Sequence, residues 1–373
     1  MTTPARKAWI ASAAVVVVAL GVGVAALTGK DDERPVAATP SASVSVAAPV
    51  PVATDSASLR SARTRIALPK AAGTWPGDHG LSGVNGFPTL NTKSVTEFCT
   101  ARGRGCTVAH TYTDRTSYES MTRGSAWTFE YFADFDGVLV ISQALVPDKG
   151  ENLVAGCAAG EYDAYWRDFG TLMVKQNRGD SVLRLGWEMN EATMAWRGLN
   201  AANYINCYRH AATAIRSTNP QVVLDWTINA HNSPADLCGG LSTTCYPGDD
   251  YVDIIGIDNY DHHPWSPTRQ DFERTADAQE GLDWLHDFAR ARGKLFSVGE
   301  WGVVPTGDAG KENPDFITWM HDWFAAHADT LAYEMYFQRC DGTVNQSAIL
   351  RPNDRNCLPN TASSNVYREL WGS

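Results

Sequence analysis

Eight short apolar runs, separated by segments of helical period or irregular connections, constrain this chain most, because such alternation specifies parallel strands joined by crossover helices. Strands are predicted at Gly83–Phe87, Cys106–Tyr112, Gly137–Ala144, Ser181–Trp187, Val222–Ile228, Val252–Ile257, Lys294–Val298 and Leu331–Phe337. Helices are predicted at Ser94–Arg102, Glu161–Asn177, Asn203–Ser217, Gly281–Arg292, Pro314–Asp329 and Asn365–Trp371. The clearest is amphipathic, with Leu282, Leu285, Phe288 and Ala289 on one side and Asp283, Asp287 and Arg290 on the other. The second and fifth connections read as irregular. Eight β/α units in about 300 residues predict one (β/α)8 TIM barrel, in which chemistry collects at the C-terminal strand ends. A doubly wound open sheet is the competing architecture, but no Gly-rich dinucleotide fingerprint follows an early strand.

The N-terminus has a different grammar. Arg6 and Lys7 precede an apolar run from Ala8 to Thr28, and charged residues follow from Lys30 to Arg34. That run is long enough for a bilayer, which takes about 20 apolar residues, so a cleaved signal peptide and an uncleaved membrane anchor both fit. Residues 31–64 read as a flexible Ala/Pro/Ser/Val-rich linker, giving a division into 1–30, 31–64 and a barrel domain over 65–373. An exported chain with 8 cysteines is expected to form disulfides. Proximity suggests Cys99 with Cys106, Cys157 with Cys207, Cys238 with Cys245 and Cys340 with Cys357; zinc ligation lacks any C-x-x-C pair. The net charge of -11 argues against a nucleic-acid partner.

Two carboxylates stand where predicted strands run into loops: Glu188 in Leu185-Gly186-Trp187-Glu188-Met189-Asn190 and Glu300 in Val298-Gly299-Glu300-Trp301-Gly302. Barrel closure brings strands four and seven to one mouth, so the pair suits glycosidic cleavage, in which one carboxyl protonates the leaving oxygen and the other meets the oxocarbenium-like centre. Burial beside Trp187 is expected to raise the Glu188 pKa, while Tyr260 and polar neighbours keep Glu300 charged. Arg184 is read as an orienting residue on the same side of its strand as Glu188.

Leu183-Arg184-Leu185-Gly186-Trp187-Glu188-Met189-Asn190 resembles the Arg…His-Glu-Met-Asn-Gly segment of glycoside hydrolase family 26, the β-mannanase family of the retaining (β/α)8 clan. The resemblance implies Glu188 as acid/base, Glu300 as nucleophile, and Tyr260 as the tyrosine that hydrogen-bonds the nucleophile. Trp187 stands where that family usually has histidine and Glu191 where it has glycine, which leaves mannan specificity open. Retention is implied by the resemblance; endo action is expected from a mouth lined by aromatics.

Sugars present apolar C–H faces and polar rims, so loop aromatics and strand-end amides are candidate contacts. Trp187, Trp196, Trp265 and Trp301 are the candidate platforms or walls, and Tyr336 joins them from the aromatic-rich final strand. Asn190, Asn229, Asp258, Gln338, His110 and Tyr112 are candidate hydroxyl binders beside Arg184 and Tyr260. Trp226, Trp284, Trp319 and Trp323 are assigned to core packing. Two rival readings remain: a cell-surface carbohydrate-binding barrel without turnover, and a metal-dependent hydrolase using Asp258 to His263. The leading reading is a monomer that acts on a polysaccharide and has no cofactor.

Overall fold

The eight expected strands close edge to edge in chain order, every pair parallel, as β1 (Leu81–Asn85), β2 (Val108–Tyr112), β3 (Val138–Gln143), β4 (Val182–Leu185), β5 (Val223–Asn229), β6 (Ile254–Asp261), β7 (Leu295–Val303) and β8 (Leu331–Phe337). The computed structural model describes residues 81–86, 91–231, 233–308, 310–339, 347–350 and 360–372. The N-terminal apolar run, the linker and the Cys340–Cys357 pairing lie outside them. Among the described residues no helix is long and apolar enough to cross a membrane.

Around the strands run α1 (Thr92–Arg102), α2 (Tyr118–Met121), α3 (Ala126–Glu130), α4 (Val154–Ala158), α5 (Asp163–Lys175), α6 (Ala201–Thr218), α7 (Arg269–Asp277), α8 (Leu282–Ala291), α9 (Pro314–Ala326) and α10 (Thr361–Trp371). Short side chains set several of their starts. Asn91, Asn200, Thr268 and Asn313 each accept a backbone N–H of the first turn, and Pro314 fills a position whose N–H would be orphaned anyway. Helix α7 is not among the expected elements; only Phe272 and Ala276 of its nine residues are buried, so its apolar stripe is faint in the sequence. Among the described residues three disulfides are present, Cys99–Cys106, Cys157–Cys207 and Cys238–Cys245, with Cα separations of 5.6, 4.8 and 5.4 Å.

Strand alternation divides the barrel into layers. Leu81, Val108, Val140, Val182, Val223, Ile254, Leu295 and Tyr333, one from each strand, belong to a buried cluster that forms the barrel floor. The intervening residues, such as Ala109, Ile141, Leu183, Leu224, Ile255 and Phe296, point outward into the larger core beneath the helices. One step above the floor the inner face turns polar, with His110, Ser142, Arg184, Asp225 and Ser297 all without exposed surface. Buried polar groups require partners. Asp225 has three, accepting from Thr227 Oγ1, Ser297 Oγ and Tyr333 Oη, each at 2.6 Å.

Strand β4 ends two residues sooner than expected, at Leu185, because Gly186 takes a left-handed backbone with φ 57°. Strand β7 instead continues past Glu300. It carries one extra residue against β6: Ile257 faces Val298 but Asp258 faces Glu300, which leaves Gly299 in a bulge. Bulges re-aim the side chains that follow, and this one falls at the candidate carboxylate.

Candidate active site

Glu300 enters the mouth from β7 with both carboxylate oxygens engaged. Oε1 accepts from Arg184 Nη1 at 3.0 Å and from Tyr112 Oη at 3.1 Å, while Oε2 accepts from Tyr260 Oη at 2.8 Å. Burial, followed by the Glu300 charge, raises both phenols above their ordinary range, so they stay protonated as donors. Asn85 supports the same corner, donating through Nδ2 to Gly299 O at 3.2 Å and accepting from Tyr112 Oη at 3.3 Å.

Arg184 rises from β4 to the centre of this arrangement. Its guanidinium also pairs with Asp258 Oδ2, donates to Ser142 Oγ at 3.1 Å, and reaches Thr227 Oγ1 at 3.3 Å. Burial opposes its charge, but Asp258 and Glu300 outweigh that and raise it above its ordinary value. Burial likewise holds the Asp258 carboxyl well above the usual carboxylate range, against the attraction of Arg184. A guanidinium forking between two acidic side chains supplies fixed geometry.

Glu188 occupies the turn after β4 in a left-handed conformation, φ 51°, which is uncommon outside glycine and marks a site held by its surroundings. The turn is pinned throughout. Gly186 N donates to Gln143 O at 2.8 Å, Glu188 N to Thr227 O at 2.9 Å and Glu191 N to Glu188 O at 2.9 Å. Tyr204 Oη binds Gly186 O at 2.9 Å and Trp196 Nε1 binds Trp187 O at 2.7 Å. Burial, then the nearby Glu300 charge, pushes the Glu188 carboxyl up to about 8, with Glu191 adding to the effect and Arg184 opposing it. The arrangement is thus a proton-holding carboxyl beside a carboxylate fixed by three donors.

Several expected substrate contacts are displaced by the structure. Trp196, Trp301 and Tyr336 have no exposed surface and cannot serve as platforms. Trp301 follows Glu300 on a strand and so faces the other way, its Nε1 donating to Glu334 Oε2 at 2.6 Å while its ring packs on Trp371 and Tyr336. Tyr336, whose Oη donates to Ser347 O, and Gln338, whose Oε1 accepts from Ile349 N, are both buried away from the mouth. His110 is buried beneath Tyr112, bonded to Ser142 Oγ at 2.8 Å. Arg184 and Asp258 are fully buried and touch Glu300 or each other rather than the open mouth. Asn190 uses both ends of its amide on Asn229 and Ser233. The strand period invoked for Arg184 and Glu188 does not apply, since Glu188 lies beyond the strand end.

At the mouth remain Tyr112, Glu188, Asn229, Tyr260 and Trp265, all half-buried, with Trp187 at the wall. Arg115 stands outside the set expected from the sequence. Its guanidinium lies 5.7 Å from the Trp187 ring and 5.8 Å from that of Trp196, and it pairs with Asp148 at 3.1 Å. Trp226 and Trp323 are buried as expected, and Trp284 and Trp319 pack partly buried against the core. In the Asp258–His263 segment the two aspartates are already committed, Asp258 to Arg184 and Asp261 to Ser266 N and Asn313 Nδ2. Among the described residues no group of three or more His, Cys, Asp or Glu is arranged to hold a metal ion.

Comparison with known proteins follows the same lines. Residues 176–329, from just before β4 through α9, match the model of glycosyl hydrolase family 26. No curated protein sequence matches. Among solved structures, the catalytic domain of a GH26 endo-β-1,4-mannanase from Bacillus sp. JAMB-750 superposes with a TM-score of 0.60 at 17% identity, covering 85% of this chain and 90% of that one. A modular endo-β-1,4-mannanase from Cellulomonas fimi gives 0.55 at 19% identity, covering 82% and 73%. GH26C from Muricauda sp. MAR_2010_75 gives 0.56 at 16% identity, covering 85% and 89%.

Proposed function

We propose that this chain, a glycoside hydrolase most similar to family 26, is a retaining, endo-acting enzyme that cleaves β-linked polysaccharide, with Glu188 as acid/base and Glu300 as nucleophile. The observation that carries the assignment is the triple restraint on Glu300 by Arg184, Tyr112 and Tyr260. A nucleophile must be aimed before the glycan arrives, because orientation fixed in advance lowers the barrier instead of being lost on binding. Glu188, kept protonated up to about pH 8, delivers its proton to the leaving oxygen, then as carboxylate activates the water that releases the second product.

The related solved enzymes named as endo-β-1,4-mannanases make mannan the first substrate to offer. Trp187, its ring flanked by the Arg115 guanidinium, gives this chain its own wall beside the acid/base. Three disulfides support action outside the cytoplasm, with residues 1–64 serving as export signal or anchor and linker, and the enzyme working as a monomer.

The test is reducing-end release from mannans, xylans, glucans and cell-envelope polysaccharides by the wild-type chain and its Glu300→Gln variant. Product from the wild type, lost by at least about a thousandfold in the variant, is expected. Near-normal release by Glu300→Gln sinks the assignment. Proton NMR of the first-formed anomer tests retention.

A further inference from the structure

Glu280 lies between α7 and α8, outside the carboxylate pair, in a left-handed conformation with φ 63° and no exposed surface. Both its carboxyl oxygens and its carbonyl bind the segment after β5. Oε1 accepts from Ser233 Oγ at 2.6 Å and from Ser242 N at 2.5 Å, Oε2 accepts from Ser233 N at 2.7 Å, and its carbonyl accepts from His231 N at 3.0 Å. Among the described residues no ion pair involves Glu280, and its side chain is held by hydroxyl and backbone N–H donors.

The network does not stop at Ser233. Asn190 Nδ2 donates to Ser233 Oγ at 3.1 Å and to Asn229 O at 2.8 Å, while Asn190 Oδ1 accepts from Asn229 N at 2.9 Å. Asn229 Nδ2 then donates to Glu191 Oε2 at 3.3 Å, and Glu191 N closes the turn on Glu188 O at 2.9 Å. The Ser233 hydroxyl donates to Glu280 Oε1 and so keeps a lone pair for Asn190. That lone pair adds a third contact to an Asn190 amide already oriented by Asn229 N and O, and the Asn190 amide joins the two loops after β4 and β5.

We infer that Glu280 is a positioning residue which, acting through Ser233, holds Asn190 against the loop after β5 and thereby steadies the turn that presents Glu188 at the mouth. The inference rests on the assignment of Glu188 as acid/base for its kinetic consequence, but not for its structural one. Replacing Glu280 by glutamine turns an NH2 group toward N–H or O–H donors and frees the Ser233 hydroxyl to reverse.

The experiment compares wild type, Glu280→Gln, Ser233→Ala and the double variant in the full chain. Hydrogen–deuterium exchange is expected to quicken in residues 188–193 for each single variant, with exchange in the barrel strands unchanged. On a glycan that the wild type cleaves, kcat is expected to fall about tenfold or more with little change in KM, and the double variant to be no worse than the more damaged single. Unaltered exchange at 188–193, or kinetic losses that multiply independently, overturns the inference. Exchange needs no substrate, so a wild type inactive on every glycan defeats the glycosidase reading while exchange still decides this one. Should Glu280→Gln fail to fold, Ser233→Ala, which removes one hydroxyl, carries both measurements.

Discussion

At the residue scale, the proton on Glu188 is the property with the widest consequences. Its folded-state value of about 8 lies above that of an unfolded glutamate, so the folded chain binds this proton more tightly than the unfolded chain does. The stabilisation is complete below the unfolded carboxyl range, near about 4.3, and is lost as pH rises through the folded value. Glu188→Gln cannot titrate there. Its Tm relative to wild type is therefore expected to climb between about pH 5 and pH 8, which paired thermal melts check. The same variant is expected to lose roughly a hundredfold or more in kcat/KM on polysaccharide, much less on an aryl glycoside with a good leaving group, and to lose the alkaline limb of the wild-type profile. Both candidate glutamates were legible in the sequence because carboxylates beside tryptophans at strand ends have few structural uses. Arg115 was not, since an arginine over two indoles is a through-space relation between separate loops.

At the element scale, the bulge in β7 decides which residues face the mouth. Counting by twos from Leu295 without the bulge sends Glu300 outward with Phe296 and Val298; the extra residue restores it to the mouth and turns Trp301 into the outer core. No sequence period announces such a step, which is why Trp301 reads as a sugar platform until the register is known. Gly299 has no room for a side chain: a Cβ there lies 2.7 Å from Arg184 Nε and 2.9 Å from its Cζ. Gly299→Ala is expected to cost roughly 1–3 kcal/mol in denaturant unfolding and to lower turnover by displacing the guanidinium that holds Glu300. An unchanged kcat with lowered stability would separate the packing role from the orienting one. The strands were readable because their apolar runs are continuous, whereas α7 was not, because it buries only two side chains.

At the scale of the whole molecule, the disulfides divide by the length of chain they close. Cys157–Cys207 spans a separation of 50 residues and ties α4 to α6, whereas Cys99–Cys106 and Cys238–Cys245 each span 7. Loop-closure entropy gives about 4 kcal/mol for the first and about 2.5 kcal/mol for each of the others. Paired Cys→Ala variants under urea are expected to rank in that order; a larger loss at a short loop would point to native-state packing instead. Chain order gave the barrel and the three pairings their plausibility, while the polar layer above the floor emerged only once strands far apart in sequence were closed into a ring. That floor, with a residue from every strand, fills the barrel below the polar layer. On the proposed function a glycan lying across the rim screens that polar layer from bulk water, so the proton that Glu188 gives to the leaving oxygen is replaced from the attacking water within the site.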